Sequence, residues 1–285
     1  MIEFRKLNHE DYEDILDISK DIWEGTDYLP QVFHNWVDSK GIFLGGVDKE
    51  KNKVVAVARL SILNDGSGWM EGLRVHKDYR GQKLGRRISE ELLERAKEAL
   101  TQGIINKIAF STHITNIESR TMMESLNFKV KQANTLAIKN NSTLRLELSL
   151  NDFDFKPWHV TFEEFKSHTY FKRRNGFLPL AFVYEEITFE LFKSLEKDNS
   201  LVIINGHKGI FKYKGEPNFI VMDDTFEGID AFMNYYLLLY KDKGFKELYT
   251  PFLPEDIHLI EKFNVEGYTS WGEWKPDYFY YVYEQ

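Results

Sequence analysis

The segment from Trp69 to Leu100 constrains this chain most, because an apolar stretch, a glycine loop and a basic helix start follow one another without a break. Trp69 to Val75 reads as a strand, and a polar turn follows it. Glycines stand at 81 and 85, and after Leu84 the residues Ile88, Leu92, Leu93, Ala96 and Leu100 recur at amphipathic helical spacing. A strand that turns tightly into a helix brings several unpaired backbone amides together where the helix dipole is positive, which makes an anion site. Arg80, Lys83, Arg86 and Arg87 crowd the same point. Cations at a helix start oppose the dipole and cost stability unless an anion answers them. The loop is therefore expected to hold phosphate; a solvated helix with a basic first turn is the plainer alternative.

The order of residues here resembles the acetyl-CoA signature of the GNAT N-acetyltransferases, Gln/Arg-x-x-Gly-x-Gly/Ala. It runs over Arg80, Gly81, Gln82, Lys83, Leu84 and Gly85, with Arg86 next. Lys83 stands where that signature has its first glycine, so it must adopt a conformation that glycine reaches more easily. Asn116 to Phe128 is similar in spacing to the second family motif, Asn-x-x-Ala-x-x-Leu-Tyr-x-x-x-Gly-Phe. Ser119 takes the alanine place and Asn127 the glycine place; asparagine tolerates a left-handed helix cap. Met123 stands where many members carry a tyrosine that protonates the leaving CoA thiolate. Taken alone this stretch is an amphipathic helix; its weight comes from lying one strand downstream of the glycine loop. A narrower likeness, in Glu24 to Pro30, Trp36 and Met70 to Val75, resembles the histidine N-acetyltransferases, a group with a C-terminal extension.

Strands at Ile2 to Leu7, Phe43 to Val47, Val54 to Ile62, Lys107 to Ser111 and Phe128 to Ile138 flank that centre. Helices are expected after Asn8, with Tyr12, Ile15, Leu16, Ile18 and Ile22 as the buried stripe, around Phe33, Trp36 and Val37, and at Asn116 to Leu126. The resulting β-α-α-β-β-β-α-β-α-β order is that of the GNAT fold, which sets an acetyltransferase domain at 1–140 of a mixed α/β (α+β) chain. Residues 141–157 are polar and weakly periodic and read as a linker. In 158–285 three strands, punctuated by Asn205-Gly206 and Lys214-Gly215-Glu216-Pro217, precede helix, strand, helix and an aromatic strand region at Tyr268 to Tyr283. That order echoes the first half. Its loop, however, holds Asp223, Asp224 and Glu227, which would repel a pyrophosphate. A degenerate second GNAT-like domain without a cofactor loop is expected, with an unrelated α+β domain as the alternative.

With 285 residues the chain is long enough for two cores. Its net charge of −8 argues against nucleic acid as the main partner. The absence of cysteine removes disulfides, thiolate metal sites and acyl-cysteine chemistry, and it fits a reducing cytoplasm. No apolar run approaches the roughly 18 residues of a membrane span, and no signal peptide is apparent, so a cytoplasmic chain without membrane partners is expected.

Acetyl transfer from a thioester to an amine needs a neutral amine, a polarised carbonyl and an exit for the thiolate. An amino-acid amine titrates at about 8 and an alkyl amine at about 10, so a proton must be removed. Glu71, a carboxylate in an apolar strand, is the first candidate for base or amine anchor; a salt bridge to a neighbouring strand, with Arg59, is the structural alternative. His113 is the second candidate base, or a structural histidine at a strand end. Resemblance implies that Asp27 and Tyr28 cover the acceptor with Trp36 beneath. It also implies that backbone groups of Leu73 and Val75 bind the pantetheine arm where the central strands splay, and that Arg80 to Arg86, with Asn116 and Ser119, hold CoA. No metal-ligand spacing appears. The implied activity is acetyl-CoA-dependent transfer to a small-molecule amine, the α-amine of an amino acid such as histidine. An acetyl-CoA sensor without catalysis, and a polyamine or protein N-terminal acetyltransferase, are the alternatives.

Overall fold

The computed structural model describes residues 1–144, 147–213, 218–243 and 247–284; the Lys214-to-Pro217 turn lies outside them. The chain folds into two compact units, one of 1–110, 121–129 and 282–285, the other of 111–120 and 130–281. Strands and helices in the first half are β1 (Ile2–Lys6), α1 (Tyr12–Ser19), α2 (Leu29–Asp38), β2 (Gly41–Asp48), β3 (Lys53–Ile62), β4 (Ser67–Val75), α3 (Leu84–Thr101), β5 (Lys107–His113), α4 (Ile117–Ser125) and β6 (Phe128–Asn140). The expected GNAT order is the order observed.

In the first unit β1, β2, β3 and β4 form an antiparallel meander, and β5 joins parallel to β4. One layer of its core packs Ile15, Ile18, Leu29 and Phe33 of α1 and α2 against Phe43, Val47, Val54 and Val57. Leu16, expected in that stripe, is 38% exposed. The α-helix is only two turns long, and its buried face centres on Ile15 and Ile18, which leaves the next position turned outward. Helix α3 buries Leu84, Ile88, Leu92, Leu93 and Ala96.

Two departures from regularity in β4 shape the site. Val57 faces Arg74 but Arg59 faces Glu71, so Gly72 and Leu73 together oppose Ala58 in a β-bulge. Gly72 has φ +69°, and a Cβ there would lie 2.6 Å from Cζ3 of Trp36. Because Val57 and Arg59 share one face of β3, the bulge carries Arg74 onto the same face of the sheet as Glu71. On the other edge the β4–β5 ladder runs from Ser67↔Lys107 to Trp69↔Ala109, and no later pair follows among the described residues, although β4 continues to Val75.

The second unit holds β7 (Phe155–Pro157), α5 (Phe162–Lys166), α6 (Thr169–Arg173), β8 (Phe177–Leu180), β9 (Val183–Glu186), α7 (Phe189–Lys197), β10 (Leu201–Ile204), β11 (His207–Lys212), β12 (Asn218–Val221), α8 (Phe226–Tyr240), β13 (Glu247–Phe252), α9 (Ile260–Val265) and most of β14 (Tyr278–Tyr283). Its antiparallel order β7-β10-β11-β12 repeats that of β1 to β4. Phe211, Phe219, Phe232, Tyr236 and Phe263 fill its centre. The aromatic surplus of the second half is thus largely core, and Tyr280 and Tyr281 are fully buried. Tyr268 to Asp277 is not strand apart from a bridge between Thr269 and Ile138.

The compact units are interleaved and not consecutive. The 141–157 stretch read as a linker includes β7, an edge strand on β10 whose three residues are too few to show a period, with Pro157 tolerated because the strand is at an edge. At the chain end the Glu284 amide donates to Asn127 O at 3.0 Å, and Tyr283 packs on Phe128 with ring centres 5.6 Å apart, all within the first unit. Asn127 has φ +70°, the left-handed cap expected of it.

Replacing Gly72 by alanine is expected to destabilise the protein by about 1–3 kcal/mol in denaturant unfolding, from the left-handed backbone and the clash with Trp36. Adding Trp36→Ala should leave the backbone part of that loss.

In the second unit Asp277 is fully buried; its carboxylate accepts from Leu136 N (3.1 Å) and Ser270 Oγ (3.2 Å), and burial pushes its pKa up to about 6. Because the folded value lies above the unfolded one of about 3.8, the stability linked to this proton is complete below pH ~4 and is lost as pH rises through ~6. Unfolding curves across that window should slope downward in the native chain, and this component should vanish in Asp277→Asn.

Candidate active site

His76 ends β4 by donating its backbone amide to Val55 O (2.9 Å), while its ring links Asp17 Oδ2 (2.9 Å) and the Asp78 amide (3.2 Å). Lys20, Lys53 and His76 surround Asp17 and hold its carboxyl well below the usual range. The loop base is therefore pinned from α1. Lys83 then takes φ +58°, the left-handed conformation its place in the signature demands, and α3 starts at Leu84. The helix's first backbone bond runs from Arg87 N to Lys83 O (3.1 Å), so the amides of Leu84, Gly85 and Arg86 lie at the positive end of the helix.

The loop leaves room for a ligand. A Cβ on Gly81 would meet nothing within 4 Å, and one on Gly85 would touch only Val75 Cγ2 at 3.5 Å. Gln82 donates to Asp78 O at 3.2 Å, and Arg86 pairs with Glu90 at 2.7 Å on the surface. Arg80 donates to Val75 O (3.1 Å) and Arg74 to Leu73 O (3.0 Å), so the carbonyls of the two residues expected along the pantetheine arm have side-chain donors of this chain. Backbone amides at a helix start, cations and an open glycine surface fit a pyrophosphate.

On the face set by the bulge, Glu71 accepts from Ser61 Oγ and lies 3.7 Å from Arg59 Nε. The salt bridge anticipated as the structural alternative for Glu71 is thus present, yet its side chain keeps 25% exposure. Arg59 is buried and donates to Ser61 Oγ (2.7 Å), Trp36 O (2.5 Å) and Ser39 Oγ (2.8 Å), under the Trp36 ring at 4.9 Å. Burial lowers its pKa and the Glu71 charge works the other way. Trp36 closes this side, edge-on to Tyr28 and Phe43.

Asp27 turns inward. Its buried carboxylate accepts from Arg74 Nε and Nη2, each at 3.0 Å, and from Leu29 N at 3.3 Å. Its role is to fix Arg74 and the loop before α2. Trp23 and Tyr28 lie over the Arg74 guanidinium at 4.6 and 5.4 Å. Burial opposes the Arg74 charge, but Asp27 and Tyr28 outweigh it and raise the pKa. Although Tyr28 is 38% exposed overall, desolvation raises its phenol, against Arg74 and with Glu71. Sequence reading missed Arg74 and Trp23, since 47 residues separate Arg74 from Asp27 and nothing local joins them.

His113, Asn116 and Ser119 belong to the second unit. Thr115 N can only donate, so His113 Nδ1 accepts from it (3.3 Å) and the proton of the neutral ring sits on Nε2. That nitrogen is buried without a hydrogen-bond partner among the described residues, and the ring meets Trp271 edge-on at 4.9 Å. Burial lowers the His113 pKa and favours the neutral ring, whose Nδ1 also lies 2.7 Å from Thr115 Oγ1. Asn116 donates to Thr112 Oγ1 at 3.1 Å, and Ser119 is half-buried on α4. Met123, in the first unit, is buried and offers no hydroxyl. In the acidic turn of the second half Asp224 accepts from Arg174 Nη1 and Nη2 (2.8 and 2.6 Å) and from Arg173 (3.0 Å).

Among the described residues no group of three acidic, histidine or cysteine side chains could hold a metal, and no helix is long and apolar enough to cross a membrane. Histidine N-acetyltransferases of Oreochromis niloticus and Scomber australasicus are 31% and 30% identical to this chain over 84 residues. Those matches cover 28% of the chain and only 24% of either relative, so the chain spans about a quarter of their length. A crystal structure from Thermoplasma acidophilum superposes over 99% of this chain and 100% of its own with TM-score 0.63 at 18% identity. A GCN5-related N-acetyltransferase from Sphaerobacter thermophilus does so over 99% and 95% with TM-score 0.58 at 12% identity, which shows the shared fold. Residues 3–128 match the acetyltransferase (GNAT) family. The left-handed loop, the helix start and the strand order therefore belong to a GNAT-family acetyltransferase domain.

Proposed function

We propose that the chain is an acetyl-CoA-dependent N-acetyltransferase acting on the α-amine of a small free amino acid, with histidine as the candidate acceptor. The observation that carries this reading is the β4–α3 loop, whose left-handed Lys83 and open Gly81 and Gly85 present helix amides and cations to a diphosphate. Arg80 to Arg86 hold that group, and the unladdered edge of β4 supplies backbone amides to the arm that follows.

The acceptor side is assigned to the Glu71 face. With Arg59 and Ser61 answering its charge, Glu71 is better suited to anchoring an ammonium than to taking its proton directly. Water beside the partly exposed carboxylate then receives the proton. The freed lone pair forms the C–N bond, the C–S bond breaks, and the thiolate takes its proton from solvent or from the new ammonium, since Met123 has none to give. Tyr28 and Trp36 wall this face. The buried thioether of Met123 favours one second reading, an acetyl-CoA sensor without turnover.

Acetyl-CoA is expected to raise the melting temperature by mass action, and Gly85→Glu to abolish the rise by setting charge and bulk against the phosphates. An unchanged rise in the variant removes the loop from the cofactor site.

In competition at equal concentration, histidine is expected to be acetylated in preference to spermidine, read as CoA release and product mass. Turnover of the polyamine alone, or of a protein N-terminus alone, overturns the amino-acid assignment. Binding without turnover on any amine supports the sensor.

A further inference from the structure

Arg74 shares the acceptor face with Glu71, and the transferase reading gives it no task. Of its five N–H donors, three are committed: Nε and Nη2 to Asp27, and Nη1 to Leu73 O. The Trp23 and Tyr28 rings pack beside it, their centres 4.6 and 5.4 Å from the guanidinium carbon and 6.1 Å from each other. The second N–H of Nη1 and that of Nη2 are left, with the Tyr28 hydroxyl against the same guanidinium, so Arg74 and the phenol together present donors to a carboxylate. The guanidinium keeps 12% exposure, whereas Arg59 beside it is 4% exposed and turned to internal acceptors. Asp27, fully buried, holds the group in place.

The bulge fixes the spacing. With Gly72 and Leu73 opposing a single residue, Glu71 and Arg74 are separated as two same-face positions of a strand, about 7 Å along its direction. An anion anchor and a cation anchor at that separation suit a molecule whose ammonium and carboxylate are borne on one carbon. A polyamine has no negative charge to offer the second anchor, and its further ammonium groups would be repelled there.

We propose that Arg74 is a specificity-determining residue that binds the free α-carboxylate of the acceptor, while Glu71 holds its α-ammonium. The assignment rests on the amino-acid transferase reading and narrows it to zwitterionic amino acids with an unblocked carboxylate.

The test compares histidine with histidine methyl ester and histamine, each of which keeps ring and amine but lacks the carboxylate charge. The ester's amine loses its proton more readily than histidine's and histamine's less readily, so a loss common to both reports the carboxylate. In the native protein both are expected to lose about ten- to a hundredfold in kcat/KM, mainly through KM, the worth of a charge-assisted hydrogen-bond pair. Arg74→Gln should weaken histidine by a similar factor and leave the ester nearly unchanged, with the acetyl-CoA melting shift retained as the sign of a folded loop. If Arg74→Gln does not fold, the native comparison still decides. Equal kcat/KM for histidine and its ester overturns the Arg74 assignment and leaves the transferase standing. Histidine neither acetylated nor bound in calorimetric titration with CoA present, while another amine is turned over, overturns the amino-acid reading and the Arg74 assignment with it.

Discussion

The acceptor face depends on one extra residue in β4. Without the Gly72–Leu73 bulge, strand alternation would place Glu71 and Arg74 on opposite faces of the sheet. With it, a carboxylate and a guanidinium lie on the side where α1 and α2 pack. The bulge is held by the absence of a side chain, because Trp36 occupies the volume a Cβ would need. Trp36 in turn covers Arg59, whose hydrogen bonds draw together β3, the end of α2 and Glu71 through Ser61. A backbone irregularity thus sets the chemistry of the site by deciding which side chains share it.

Electrostatics divide the chain along similar lines. Its net charge is −8, yet the start of α3 concentrates cations that have few carboxylates against them, with Glu90 on Arg86 as the described exception. Elsewhere the ion pairs close on themselves, as between Asp27 and Arg74 or between Asp224 and Arg173 with Arg174. The acidic turn before α8 occupies the place in the repeated strand order that the basic loop before α3 holds in the first unit. Asp224 and Lys83 are both left-handed, at φ +52° and +58°, but Lys83 caps α3 directly whereas Asp224 stands one residue before the Thr225 cap of α8. In the second unit the arginines of α6 and the residue after it answer the charge of the acidic turn.

Periodicity and turn chemistry made most of the first half legible, since its strands and α3 obey local rules over many residues. The left-handed place of Lys83 followed from the motif, and the Asn127 cap from the tolerance of asparagine. The hidden features depend on register. Nothing in Met70 to Val75 announces a bulge, and the partnership of Asp27 with Arg74 appears only after the loop folds back on the sheet. His113 was legible as a titratable group, but its tautomer required the Thr115 amide. The segment from His159 to Thr188 gave no periodic signal because its helices have five residues and its strands four. Its hairpin also turns through left-handed Ala181 and Phe182, where composition gives no glycine or asparagine to mark it.

The tail that closes the first unit has a consequence for how the protein is made. Residues 1–110 and 121–129 leave the ribosome long before Val282 to Glu284, which pair with Asn127 and Phe128. At typical synthesis rates that interval is on the order of ten seconds. During it the β4–α3 loop can form from contiguous sequence, whereas the Asn127 carbonyl and the Phe128 ring wait for their partners. Vectorial synthesis therefore gives this chain a nascent stage in which the anion loop exists and its domain is still unsealed.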